Sequence, residues 1–138
     1  MKARRMQQPI DPEKQAAEQA QFVAMAAVHR WEAIVEVLTP ILGQRGVAAL
    51  YRRTLSVAGA SHPCLIEAQE SDEPLTFKRL RRVLAQQSPD AAAAATDASL
   101  QTFHGLLDSL IGTSLTQRLL GSVWSPIFSG SPAQDTKT

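Results

Sequence analysis

A single cysteine, Cys64, in 138 residues excludes an internal disulfide framework, so packing alone must hold this chain together. The lone thiol fits a reducing compartment, and a cytoplasmic location is expected. Excess charge of one sign is also missing: 14 Lys and Arg stand against 13 Asp and Glu, a formal net charge of +1. That balance excludes a protein driven onto polyanions or anionic membranes by its overall field, and leaves only local charge to be informative. Aromatics make up 5% of the chain, so a core must be built mainly from aliphatic side chains and alanine. Long hydrophobic runs are absent too. The longest, Phe22 to Val28, is far short of a bilayer span. The basic start of the chain is followed by Asp11, Glu13, Lys14 and Glu18 rather than by the apolar stretch of a signal peptide. No membrane role is expected.

What is present is helical periodicity. With 44% apolar and 20% charged residues, the chain can bury one core, and the expected fold is all-α, a single helical domain over 11–124 with a flexible arm at 1–10 and a flexible tail at 125–138. Asp11-Pro12-Glu13 places an acceptor at N-cap, proline at N1 and an acid in the first turn, which starts a helix. Thr39-Pro40 should stop it at Leu38, because proline lacks an N–H and disfavours helical geometry in the residue before it. Within that helix Phe22 to Leu38 has little polar surface. Met25, His29, Glu32 and Glu36 share one narrow stripe, and apolar side chains cover most of the remainder.

Three-and-four spacing then predicts a second helix from Gln44 to Ala58 with Gly59 as its C-cap, and a short turn over Pro63–Gln69 capped by Ser61, with Leu65 and Ile66 inward. Glu67, Glu70, Asp72 and Glu73 make an acidic loop. Thr76 caps a helix over Phe77–Gln87, with Phe77, Leu80, Val83 and Leu84 on one face and Lys78, Arg79, Arg81 and Arg82 on the other. Ser88-Pro89-Asp90 opens a helix to Ile111, Gly112 ends it, and a last helix covers Thr113–Trp124. About four main helices result. Setting Gly43 against Gly112 aligns Trp31 with Leu100, Ile34 with Phe103, Leu38 with Leu107, Ile41 with Leu110, Leu50 with Leu119 and Tyr51 with Leu120. An internal pseudo-repeat of long helix, glycine and short helix is therefore expected.

Few residues here suggest chemistry. His29, Glu32 and Glu36 have the one-turn spacing of metal ligands, but di-iron bundles need Glu-x-x-His on two helices with carboxylates from two more, so the stripe reads as solvated and no metal or cofactor is expected. Cys64 follows Pro63 at a helix start, where the dipole would lower a thiol pKa, with His62 nearby. No third residue orients such a pair, so a semi-buried structural thiol is expected. An interaction or regulatory module, non-enzymatic and dimeric, is the expected function. Its interface is expected at Trp31, Ile34, Val35 and Leu38, with a protein partner or a second copy as occupant; the alternative is that this helix is the central member of a single bundle, enclosed by its own neighbours.

Two other readings accompany it. The basic surface of Lys78, Arg79, Arg81 and Arg82, joined by Arg52 and Arg53, suits nucleic acid. His104 on a helix of a small bundle resembles the histidine of phosphotransfer domains, a likeness that implies a phosphoacceptor in a signalling protein. Those domains place a lysine and a glycine just after the histidine, to stabilise the phosphoryl group and to leave room for a receiver domain. Here Gly105 is followed by Leu106, Leu107 and Asp108.

Overall fold

The computed structural model describes the backbone of residues 11–70 and 74–128 and the side chains of 11–70 and 75–121. The arm at 1–10, the tail at 129–138, and Asp72 and Glu73 of the acidic loop lie outside them. The chain is all-α among the described residues: α1 (Pro12–Ala58), α2 (Cys64–Gln69), a 3₁₀ turn (Pro74–Thr76), α3 (Lys78–Ala85), α4 (Pro89–Ile111) and α5 (Thr113–Phe128).

The starts of the long helices follow their caps. Asp11 Oδ1 accepts from Glu13 N at 3.0 Å, and Ser88 Oγ accepts from Ala91 N at 3.1 Å. Thr39-Pro40 does not stop α1. The helix absorbs Pro40 and continues to Leu42, with Thr39 Oγ1 donating to Val35 O at 2.6 Å one turn upstream. The break comes at Gly43, where φ 81° and ψ 157° lie outside the reach of ordinary L-residues. There the chain reverses, and Tyr51 on the second arm of α1 comes to 5.0 Å, ring to ring, from Trp31 on the first. Gly112, between α4 and α5, has nearly the same conformation at φ 94° and ψ 150°. Gly59 has ordinary helical angles instead, and is needed because a Cβ there would collide with the Ile66 side chain and the Leu55 carbonyl.

The first arm of α1 runs parallel to α4. Their N-terminal ends share one groove lined by Gln15, Glu18, Gln19, Phe22 and Val23 against Pro89, Asp90 and Ala93, and further along Trp31 lies 5.0 Å from Phe103. Both glycine breaks are thereby at one end of the bundle. Fully buried alanines, Ala20, Ala24 and Ala27 on α1 and Ala92 and Ala95 on α4, keep side-chain bulk off the inner faces. At the centre Trp31 also stacks with Phe77 at 6.1 Å, and Tyr51 meets Phe77 edge-on at 5.1 Å. Each such pair adds about 1 kcal/mol beyond its burial, so these rings pin both arms of α1, the entry to α3, and α4 to one another. Buried hydroxyls are satisfied locally: Thr54 donates to Leu50 O, Thr96 to Ala92 O and Thr116 to Gly112 O.

Smaller differences from expectation have local causes. α5 continues past Trp124 to Phe128. Ser61 makes no cap, since α2 begins after Pro63 with no side-chain acceptor, and Ile66 is 38% exposed while Leu65 is fully buried. Phe77 does not open α3 as a helical residue. It sits just ahead of it at φ 58° and ψ 17°, left-handed backbone that costs a bulky side chain roughly 1–3 kcal/mol. Burial of its ring among Trp31 and Tyr51 offsets that strain and fixes the direction in which α3 leaves the core.

Candidate functional site

The residues expected at an interface fall on the inside. Trp31, Ile34 and Leu38 are at most 1% exposed and Val35 packs partly buried against them, because α3, α4 and the second arm of α1 already enclose that face. A second copy has no access to Trp31, Ile34 or Leu38 in this fold. An 18-residue window of α1 is apolar enough by length and composition to cross a membrane, and 17% of that window is buried in the fold.

The outer face of α1 is different. Its crest carries Phe22, 73% exposed, and Met25, 45% exposed, with Glu18, His29, Glu32 and Glu36 around them. A large apolar ring left so open on a chain with four Phe is an observation that periodicity did not isolate. On one side of the crest lies α3. Gln21 and Ala24 of α1 face Lys78, Arg81, Arg82 and Ala85 across a groove of about 420 Å³, and a smaller hollow of about 120 Å³ joins Met25, Val28, His29 and Glu32 to Arg81. On the other side is the groove against α4, about 600 Å³ and wide open, where Glu18 and Asp90 supply the charge. The crest thus separates a basic trough from an acidic one.

Leu80, Val83 and Leu84 are buried, which turns Lys78, Arg81 and Arg82 to solvent and leaves Arg79 half-buried. Among the described residues, none of these cations has a carboxylate within ion-pairing distance; the one pair formed is His104 with Asp108. Arg81 and Glu32 line the same hollow without meeting. Arg52 and Arg53 are exposed on the second arm of α1, where Gln69 Nε2 donates to Arg52 O, and they line neither trough. The expected six-residue basic surface is therefore a compact α3 cluster, with Arg52 and Arg53 belonging to the side where α2 docks.

The remaining candidates sit apart. His104 Nδ1 is 3.5 Å from Asp108 Oδ2 on α4, both side chains about a quarter exposed at 29% and 26%, while Asp108 Oδ1 is buried with no hydrogen-bond partner. A carboxylate beside Nδ1 orients the ring. His29, Glu32 and Glu36 remain an exposed row on one helix, and among the described residues no three His, Cys, Asp or Glu come together as a metal site. Cys64 is half-buried, as expected of a structural thiol. Burial, with Glu67 one turn on, pushes its pKa up, and the backbone contribution in the opposite direction is smaller. No hydrogen bond joins it to His62 among the described residues. Comparison with family models, with curated proteins and with solved structures returns no match.

Proposed function

We propose that the protein is a non-enzymatic helical interaction module of the cytoplasm, regulatory in character, and that its working surface is the outer face of α1 together with α3. The observation that carries this reading is the row Lys78, Arg81 and Arg82, without an ion pair among the described residues, beside the exposed Phe22 and Met25. Charges without partners next to open apolar side chains give a surface both steering and contact area, the two things protein recognition requires. Nucleic acid needs the charge but not the flanking apolar crest, so a protein is the better fit.

The test is fluorescence anisotropy at physiological salt with two labelled probes, an acidic amphipathic helical peptide and a 20-base-pair duplex. Saturable binding of the peptide, lost in Lys78→Glu/Arg81→Glu/Arg82→Glu, is the expected result. Preference for the duplex with steep salt dependence would replace the reading by nucleic-acid binding, and binding of neither would overturn both.

A second reading, phosphoryl acceptance by His104, is supported by its partial exposure and by Asp108 3.5 Å from its Nδ1. In that step the P–O bond of a receiver aspartyl phosphate breaks as a P–N bond forms. Label transfer from a phosphorylated receiver domain to the wild type, absent in His104→Gln, would support it; no transfer to the wild type removes it.

We also infer that the chain is an internal repeat of helix, glycine and helix. Gly43 and Gly112 share an unusual backbone conformation, and residues 69 positions apart agree in exposure: Trp31 and Leu100, Ile34 and Phe103, and Leu38 and Leu107 are buried, whereas Ile41 and Leu110 are 47% and 60% exposed.

A further inference from the structure

We propose that the occupant of the α1–α3 surface is a second copy of this chain, held by a two-fold axis that runs along α1. The inference rests on the interaction-module reading and adds the identity of the partner. The chain carries both halves of a complementary contact, one on each flank of the same crest. On the α3 flank are Lys78, Arg81 and Arg82, over a floor of Ala24 and Ala85. On the α4 flank are Glu18 and Asp90 beside Phe22. Neither set is neutralised within the chain among the described residues.

Symmetry then selects the arrangement. In a two-fold contact every surface patch meets the patch that the axis assigns to it, twice over. An axis perpendicular to α1 would lay the basic trough of one copy on the basic trough of the other, and acid on acid. An axis along α1 lays each basic trough over the other copy's acidic one, with the two α1 helices parallel and crossing at Phe22 and Met25. Only the second is attractive. It also covers the two most exposed apolar side chains of the α1 crest, and a trough floored by alanines leaves room for an aromatic ring between the aliphatic stems of Lys78 and Arg81. A standard interface takes about 800 Å² from each partner, roughly a tenth of the 8305 Å² surface of this chain.

The experiment is sedimentation equilibrium of the full chain over a wide dilution range, with two charge variants. One is Lys78→Glu/Arg81→Glu/Arg82→Glu on the basic flank; the other is Gln15→Lys/Glu18→Lys on the acidic flank. All these positions are exposed, and circular dichroism checks that both variants fold. The wild type is expected at twice 15.0 kDa when concentrated and at 15.0 kDa when dilute. Each variant alone should associate at least about tenfold more weakly, and an equimolar mixture should recover wild-type association, because each mixed contact again opposes unlike charge. A wild type that stays at 15.0 kDa throughout, a variant that dimerises like the wild type, or a mixture that stays monomeric overturns the proposal. A monomeric wild type that still binds the acidic peptide leaves the module reading standing with another partner. If it binds neither itself nor the peptide, both fall.

Discussion

Replacing Gly43 by alanine isolates the device that gives this bundle its shape. At φ 81° and ψ 157° a Cβ is strained by the backbone itself, and the space around it is empty, with nothing within 4 Å of the modest atom that would be added. The whole cost is thus conformational. Residues in this region carry on the order of 1–3 kcal/mol of strain. Alanine also narrows the unfolded ensemble, which returns roughly 0.4–1 kcal/mol. A net loss of about 1–2 kcal/mol is expected, which for a chain of this length lowers Tm by about 3–7 °C. Gly112→Ala should cost the same within about 0.5 kcal/mol, since φ 94° and ψ 150° place it in the same region and its surroundings are equally open. Gly105→Ala is the control. It is an exposed residue inside α4 with open space around it, so alanine should stabilise by about 0.5–1 kcal/mol. Urea denaturation followed by circular dichroism reads all three. A neutral Gly43→Ala would refute the obligatory break, and a difference above about 1 kcal/mol between the two breaks would refute their equivalence.

Tyr51 is the sole tyrosine, so absorbance near 295 nm reports its ionisation alone. Burial raises its pKa well above the ordinary 10.0, so the folded chain holds the proton more tightly than the unfolded one. Its stabilising effect is complete below pH 10.0 and is lost above it, by about 1.4 kcal/mol per pH unit, a slope that Tyr51→Phe should remove; titration of the native chain at pH 10.0 would contradict this. Phe77→Ala should lose about 3–5 kcal/mol with its ring. Phe77→Gly should be the milder change by about 1 kcal/mol, the reverse of ordinary helix propensity, because glycine relieves the left-handed backbone; urea midpoints showing the ordinary order would deny the strain. Cys64 should react with a disulfide reagent near pH 8 more slowly in the native chain than in urea, and a faster native reaction would reinstate an activated thiol.

Much of this fold was legible in the sequence, for reasons that are local. The caps at Asp11 and Ser88, the buried face of α3 and the breaks at Gly43 and Gly112 depend on neighbouring residues only. Pro40 misled because a proline's missing N–H can be tolerated inside a helix when the surrounding packing favours continuation. Trp31, Ile34 and Leu38 left two readings open. Surplus apolar surface on α1 was visible, but whether it meets another chain or the reversed arm and Phe103 depends on tertiary contacts far apart in sequence. The left-handed Phe77 had no signal at all. For the surface, the basic face of α3 was readable from its spacing, whereas its separation from Arg52 and Arg53 and its position across the crest from Glu18 and Asp90 arise only when α3 and α4 pack on opposite flanks of α1.

Hydroxyl-radical footprinting of the full chain, compared between dilute and concentrated solution, tests most directly whether the crest of α1 is where this protein binds. Phe22 and Met25, 73% and 45% exposed in the single chain, should become protected on association, while Ile41 and Leu110, 47% and 60% exposed at the far end of the bundle, should oxidise at an unchanged rate. Unchanged oxidation at Phe22 and Met25, or protection at Ile41 and Leu110 in their place, would contradict it.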